Sequence, residues 1–353
     1  MSLETYLRAA PKAELHVHLE GAIAPRTLLE LARRNHVDLP AQDEDGLHEW
    51  FRFRDFEHFV DIYVAITRCL RTADVYELIA YEFGAEMARQ HTRYAEVTFT
   101  PSTHQLLGVP LETYFDGLRR GRARARADFG VELRWVFDLV RNLADPARRG
   151  AAADYTTSVA IECRDEGVVA LGLGGLERGH PVEPFVPYFD RARAAGLHSA
   201  PHAGETAGAE SVWAAIRVLG AERIGHGVRA IEDPALVTYL VERQLPLEVN
   251  PWSNLRLGIF GDLAAHPLRR LLDAGVALTV NSDDPALFNA DLNDNLALLL
   301  DPLGCDVRTL DALLLNGVRH SFLPPDEREA LATTVAAQQD SLKGAHDLGA
   351  APS

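Results

Sequence analysis

Short apolar runs recur along the chain, each followed by polar or glycine-rich sequence and then by a stretch in which apolar residues return every three or four positions. This alternation is the signature of repeated β-strand and α-helix units. It predicts eight strands: Glu14–Leu19, Tyr94–Phe99, Glu132–Asp138, Val168–Leu173, Leu197–His202, Ile224–His226, Leu247–Asn250 and Val276–Asn281. Between the fourth and fifth, Val186, Phe189, Ala192 and Ala195 form one stripe of a helix that Gly196 ends. Ser211–Leu219 and Pro234–Arg243 read as helices in the same way. Eight such units predict an α/β fold, the (β/α)8 barrel, and 353 residues hold one barrel with insertions.

The first connection breaks the rhythm. More than seventy residues separate the first two strands, including Trp50, Phe51, Phe53, Phe56, Phe59 and Tyr63, which predicts a helical insertion above the barrel mouth. An aromatic stripe of this kind serves either as core packing or as a lid over an aromatic ligand. After residue 335 the pattern weakens, so the expected division is a hydrolase domain over 1–335 and a peripheral helix or tail over 336–353.

Composition narrows the possible partners. Apolar residues make up 47% and charged residues 24%, ordinary values for a chain with a buried core. A formal charge of −16 repels phosphate backbones and anionic lipid, so the expected partner is a small molecule rather than nucleic acid or a membrane. Cys69, Cys163 and Cys305 lack Cys-x-x-Cys spacing and read as buried thiols. Neither a leader-like N-terminus nor a long apolar span is evident, and cytoplasmic residence is expected.

Strand alternation puts His16 and His18 on one face of the first strand, where two imidazoles are natural metal ligands. Surface strands also carry histidine pairs, so the other strand ends must decide. His202-Ala203-Gly204-Glu205, Gly225-His226-Gly227 and Asn281-Ser282-Asp283-Asp284-Pro285 close the fifth, sixth and eighth strands, at the barrel face that carries catalytic groups. Each fragment alone could be a turn. Together they deliver four histidines and three acids to one rim, an inventory suited to a mononuclear zinc hydrolase in which the metal lowers the pKa of water toward about 7. Imidazole and carboxylate ligands also accept iron or cobalt. The only lysines, Lys12 and Lys343, stand away from the strand ends, which excludes a lysine-bridged two-metal centre. A carboxylate bridge would fall to Glu177.

These residues resemble the adenosine and adenine deaminase family, over Pro11 to about Pro325. The resemblance rests on Glu14-Leu15-His16-Val17-His18-Leu19-Glu20-Gly21, the fourth-strand glycine loop, His202-Ala203-Gly204-Glu205, Ile224-Gly225-His226-Gly227 and Ser282-Asp283-Asp284-Pro285, in that order. It implies one Zn2+ held by His16, His18, His202 and Asp283. Glu205 would be a protonated carboxyl serving purine N1, His226 would orient the attacking water, and Asp284 would contact N7. Gly175 would offer its backbone to the purine edge, and Glu20 would sit near the ribose.

Two positions depart from the adenosine-specific pattern: Glu20 stands in place of Asp, and Leu176 in place of an acid. Gly174, Gly175 and Gly225 depart from the adenine-specific one, which has a serine pair and an Asp there. The glycine loop and His198-Ser199-Ala200-Pro201 are similar to members that deaminate 6-amino-6-deoxyfutalosine, a 5′-modified adenine nucleoside of menaquinone synthesis. The expected substrate is therefore adenosine or a 5′-modified adenosine, with free adenine the alternative. A non-catalytic nucleoside-binding protein and a zinc hydrolase of another bond are the competing classes.

Overall fold

The computed structural model describes residues 2–54 and 56–345, with the side chains of Phe56, Glu57 and Ala345 outside the description. Eight parallel strands follow one another around a barrel: β1 Lys12–His18, β2 Thr92–Phe99, β3 Glu132–Val140, β4 Val168–Gly174, β5 His198–Ala203, β6 Ile224–His226, β7 Leu247–Val249 and β8 Leu278–Val280. Each strand pairs with the next, and a parallel bridge between Val17 and Asp283 closes the ring. His18 N donates to Asp283 O at 2.7 Å and Asp283 N to His16 O at 3.1 Å. Closure therefore occurs at the residues expected to carry the chemistry.

All eight predicted strands are present, with shifted ends. The first begins at Lys12 and ends at His18, because Leu19 turns into a 3-10 helix over Glu20–Ala22. The last is Leu278–Val280; beyond it Asn281 still donates its N–H to Val249 O at 3.0 Å and turns its side-chain oxygen onto Leu15 N at 2.9 Å. The helices fall where the periodicity put them, over Val186–Ala194, Ala209–Leu219 and Pro234–Arg243.

The long first connection holds helices Pro25–Arg34, Glu44–Trp50, Phe56–Arg68 and Ala73–Arg89. Ala73–Arg89 is the barrel helix of the first unit, and it lies close against Leu111–Phe129. A Cβ at Gly117 would stand 2.2 Å from the carbonyl oxygen of Ala73, so that crossing requires glycine. The aromatic stretch divides between its two expected uses. Phe51 is buried in the core, whereas Phe59 and Tyr63, on Phe56–Arg68, line the cavity at the barrel mouth. Phe53 and Phe59 also pack on Phe288, after β8. Phe56 offers only its backbone among the described residues.

At the C-terminal side, helix Pro325–Ala345 packs Val335 into a cluster with Leu15, Tyr94 and Val318. The division expected at residue 335 falls inside this helix, whose Gln339 is also buried. Residues 346–353 lie outside the described residues. The three cysteines are buried and free. Among the described residues no helix is long and apolar enough to cross a membrane.

Candidate active site

A cavity of about 420 Å³ opens at the C-terminal ends of the strands, and His18, His202, Glu205, His226, Asp283 and Asp284 all reach its wall. His16 lies just beneath, 2% exposed, with its ring 4.5 Å from that of His202. Asp283 is the centre of the group: its Oδ1 is 3.4 Å from Nε2 of both His16 and His18, and its Oδ2 is 3.8 Å from Nε2 of His226. Ligand atoms of His16, His202, His226 and Asp283 lie within 4.8 Å of one another, as do those of His18, Asp283 and Asp284. The structure thus gathers all four expected ligands and adds His226 to the cluster.

The backbone bends to make this meeting possible. His226 and Asp283 have φ of 61° and 65°, a left-handed conformation that non-glycine residues adopt at a cost and that turns both side chains inward. Gly21 leaves room for Asp284, since a Cβ there would meet Asp284 Oδ1 at 1.8 Å. Glu14 accepts the Ser282 N–H at 2.8 Å and so pins the loop after β8 to β1.

The donor set fits a divalent cation. His16 Nδ1 faces Glu248 Oε2 at 2.8 Å, which places hydrogen on that nitrogen and leaves the buried Nε2 without a hydrogen-bond partner, 3.4 Å from Asp283. Carboxylate-oriented imidazoles of this kind are the usual support of metal ligands. Glu248 is held in turn by Arg223 Nε at 2.5 Å, and Arg223 also pairs with Glu96. Lys12 lies at the opposite end of β1, its Nζ donating to the carbonyls of Arg8, Ala10 and Gln90, so no lysine bridges this site. Glu177 is committed elsewhere as well. Its carboxylate accepts the N–H groups of Gly204, Glu205 and Thr206 at 2.7–2.8 Å, fixing the loop that carries Glu205.

Burial sets the charge states. It pushes Glu205 up to about 8, helped by the nearby Asp283 and Glu177 carboxylates. Asp284 is raised for the same first reason, against the pull of His18. Asp283 is held well below the usual carboxylate range, because the His16 and His18 imidazoles 3.4 Å away outweigh its burial. One acid of the adjacent pair is thus ionised and its neighbour is not.

Two expected substrate contacts part company here. Gly175 lines the cavity with φ of 92°, tight against Asn142. Glu20 does not line it: the side chain is fully buried, and its Oε1 pairs with His104 Nε2 at 2.8 Å, the other His104 nitrogen meeting the Tyr76 hydroxyl at 2.7 Å. The second carboxylate oxygen of Glu20, Oε2, is buried without a hydrogen-bond partner among the described residues. Sequence reasoning passed over Asp138, a buried acid at the end of β3 that lines the cavity and accepts from Thr100 at 2.6 Å. Its signal was its place at a strand's C-terminal end.

These charge states predict how the metal-free protein responds to pH. Glu205, Asp284 and Glu14 titrate above their unfolded values, Glu14 being pushed to about 7 by burial, so the fold loses their contribution as pH rises through the folded values. His16 and His18 are raised to about 9 and about 10, the carboxylates around them outweighing burial, and their contribution, complete below about 6.5, is also lost as pH climbs. Lys12, lowered to about 7 by burial, works the opposite way. The expected result is a urea midpoint for metal-free protein that falls between pH 6.5 and 9. A midpoint that rises across that window would contradict these assignments.

Comparison with known proteins agrees with the geometry. Residues 11–338 match the adenosine deaminase family model. The chain is 43% identical over 336 residues to an aminodeoxyfutalosine deaminase of Streptomyces coelicolor, covering 94% of this chain and 85% of that one. It is 38% identical over 327 residues to an adenine deaminase of Cupriavidus pinatubonensis, covering 93% and 92%. Among solved structures, an adenine deaminase from Arthrobacter aurescens superposes with a TM-score of 0.85 at 34% identity, covering 94% of this chain and 100% of that chain. An amidohydrolase from Burkholderia ambifaria with bound Zn gives 0.87 at 26% identity, covering 99% and 96%. The eight-stranded barrel, the buried imidazole and carboxylate cluster and these matches together establish that the chain is a metal-dependent aminohydrolase belonging to the adenosine deaminase family.

Proposed function

We propose that the protein replaces the 6-amino group of an adenine nucleoside with oxygen, using zinc held by His16, His18, His202 and Asp283. The observation that carries this reading is a pair of buried carboxyls, Glu205 and Asp284, on the cavity wall beside the cluster, where burial shifts both toward the acid form. Purine N1 and N7 carry no hydrogen and need donors. An ionised carboxylate only accepts, whereas a protonated one donates.

Glu205 serves N1, making C6 electrophilic, and Asp284 serves N7. Gly175 offers its backbone to the purine edge, and His226 orients the attacking water. Bound zinc supplies charge stabilisation and lowers the pKa of water toward about 7. In the overall exchange, water gives its oxygen to C6, one of its protons ends on N1 and the other leaves with ammonia. The three free, buried cysteines accord with a cytoplasmic location.

Beside the clustered groups the cavity wall carries Val60, Val64, Leu106, Leu107 and Leu143, with Ser102, Thr103 and Asn142 as neutral polar groups. This favours a nucleoside with an uncharged or aromatic 5′ extension over the bare base. Among the described residues no Lys or Arg lines the cavity, so nothing there pairs with a 5′-phosphate. The name of the Streptomyces relative supports aminodeoxyfutalosine as such a substrate, and the adenine deaminase relatives supply the second reading, free adenine.

Ammonia release by purified, zinc-loaded protein from aminodeoxyfutalosine, adenosine, adenine and AMP tests both. The expected order of kcat/KM puts the two nucleosides first and AMP about a hundredfold or more below them, the scale of one lost charge pairing. A preference for adenine would establish the second reading, and no ammonia from any of the four would overturn both.

A further inference from the structure

Behind His226 runs a chain of buried groups that the reaction itself does not use. The Leu268 N–H donates to His266 Nδ1 at 3.1 Å, so the hydrogen of a neutral His266 sits on Nε2. That Nε2 lies 3.0 Å from Asn254 Oδ1. The contact fixes the Asn254 amide, since a reversed amide would set its NH2 against the imidazole N–H. With the amide fixed, Asn254 Nδ2 points at His226 Nδ1, 3.2 Å away. Asn250 Nδ2 approaches the same nitrogen at 3.3 Å. His226, Asn250, Asn254 and His266 are each no more than 3% exposed, so water does not compete for these partners.

We infer that His266, acting through Asn254, fixes the tautomer of His226, keeping Nδ1 as an acceptor and the ring hydrogen on Nε2, where it faces Glu205 and Asp283. The other tautomer would press an N–H against amide donors inside the protein, leaving buried hydrogens unpaired at a cost of about 1–3 kcal/mol. Burial lowers His266 to about 4, which keeps it neutral and able to accept from Leu268. His266 is a positioning residue: it touches no reacting atom and acts two hydrogen bonds away.

The arrangement also separates two histidines that distance alone cannot. His226 belongs to the tight group of possible ligand atoms, yet a nitrogen that carries hydrogen has no lone pair for a cation. The neutral His226 therefore presents a donor at Nε2, whereas the Nε2 of His16, whose Nδ1 is paired with Glu248, has no hydrogen-bond partner among the described residues and is open to a cation. Only the effect on rate rests on the deaminase reading.

Long-range 1H–15N spectra of protein labelled at histidine nitrogens, metal-free and zinc-loaded, read the tautomer directly and need no substrate. Wild-type His226 is expected with hydrogen on Nε2 in both forms. His266→Phe keeps a ring beside Phe260, 5.0 Å away, and frees the Asn254 amide. It is expected to give a mixture of His226 tautomers, unchanged zinc content, and kcat about ten- to a hundredfold lower with KM within about twofold, the range for lost outer-shell partners. His266→Gln, which keeps an N–H for Asn254, is expected to recover most of the loss. Should His266→Phe not fold, Asn254→Asp sets an acceptor against Nδ1 and is expected to move the hydrogen there. Hydrogen on Nδ1 in the wild type, or on Nε2 unchanged in the variant that folds, overturns the inference. Absence of deaminase activity with the tautomers as stated overturns the functional reading alone.

Discussion

Glu205→Gln is expected to lower kcat for deamination by about 10²–10⁴-fold, the span for losing a positioned proton donor, while zinc content and unfolding midpoint stay near the wild-type values. Glutamine fills almost the same volume and still offers N–H groups toward N1, so it keeps a hydrogen bond and loses the proton. Glu205 stands outside both groups of possible ligand atoms, its nearest approach being Oε2 to His226 Nε2 at 3.8 Å, so the cluster stays whole. Its backbone N–H remains tied to Glu177 at 2.7 Å, which holds the loop in place. The same carboxyl shapes the pH profile. Burial raises it to about 8, so the acid form is present at neutral pH and is lost above that value, earlier if a bound cation draws the pKa down. Wild-type kcat/KM should therefore fall steeply on the alkaline side, where Glu205 and Asp284 both ionise, and the variant's residual rate should keep only the shallower limb of Asp284. Full activity in the variant, or an alkaline limb unchanged from the wild type, would show that the proton comes from elsewhere.

The barrel was legible because its evidence is local. Strand alternation and helical stripes lie within a dozen residues, and the glycines and acids that end each strand mark where chemistry can sit. The residues that cluster at the barrel mouth were legible for the same reason: His16 and His18 share one strand face, and Asp283 and Asp284 are adjacent. What holds them in place is non-local. Glu248 is 232 positions from the His16 it orients, and Arg223 is 127 from Glu96. No spacing rule links such partners. Asn254 and His266, twelve apart across a short helix and a loop, have an unremarkable pattern in sequence and gain meaning only when β6 brings His226 against them. Glu20 is a further case: its place in a motif was plain in sequence, while its partner His104, 84 positions away with Nε2 at 2.8 Å, was not. The aromatic insertion could not be assigned to core or mouth from periodicity, because Phe51 and Phe59 differ only in which layer their helices face.

Asp283→Ala should abolish measurable activity and lower zinc affinity by more than a hundredfold, beyond the ten- to hundredfold range of outer-shell losses, because it removes a group that both ligates and charges the site. Asp283 is the only acid of the cluster held in its ionised form, and it stands 3.4 Å from both His16 and His18. Without it, three neutral imidazoles face a dication with no anionic ligand, and the remaining acid, Asp284, is raised by burial toward its uncharged form. The fold should persist, since the closing hydrogen bonds between β1 and residue 283 use backbone atoms that alanine retains. The positive φ of 65° suits alanine less well than aspartate, which visits the left-handed region more readily, so the variant should be judged by metal content as well as by midpoint. His18→Asn and His226→Asn complete the test. If His18 is a ligand and His226 a hydrogen donor, the first variant loses zinc on dialysis and the second keeps it while losing rate. Zinc lost from His226→Asn and kept by His18→Asn would reverse the two roles, and zinc held at wild-type affinity by Asp283→Ala would remove Asp283 from the coordination sphere.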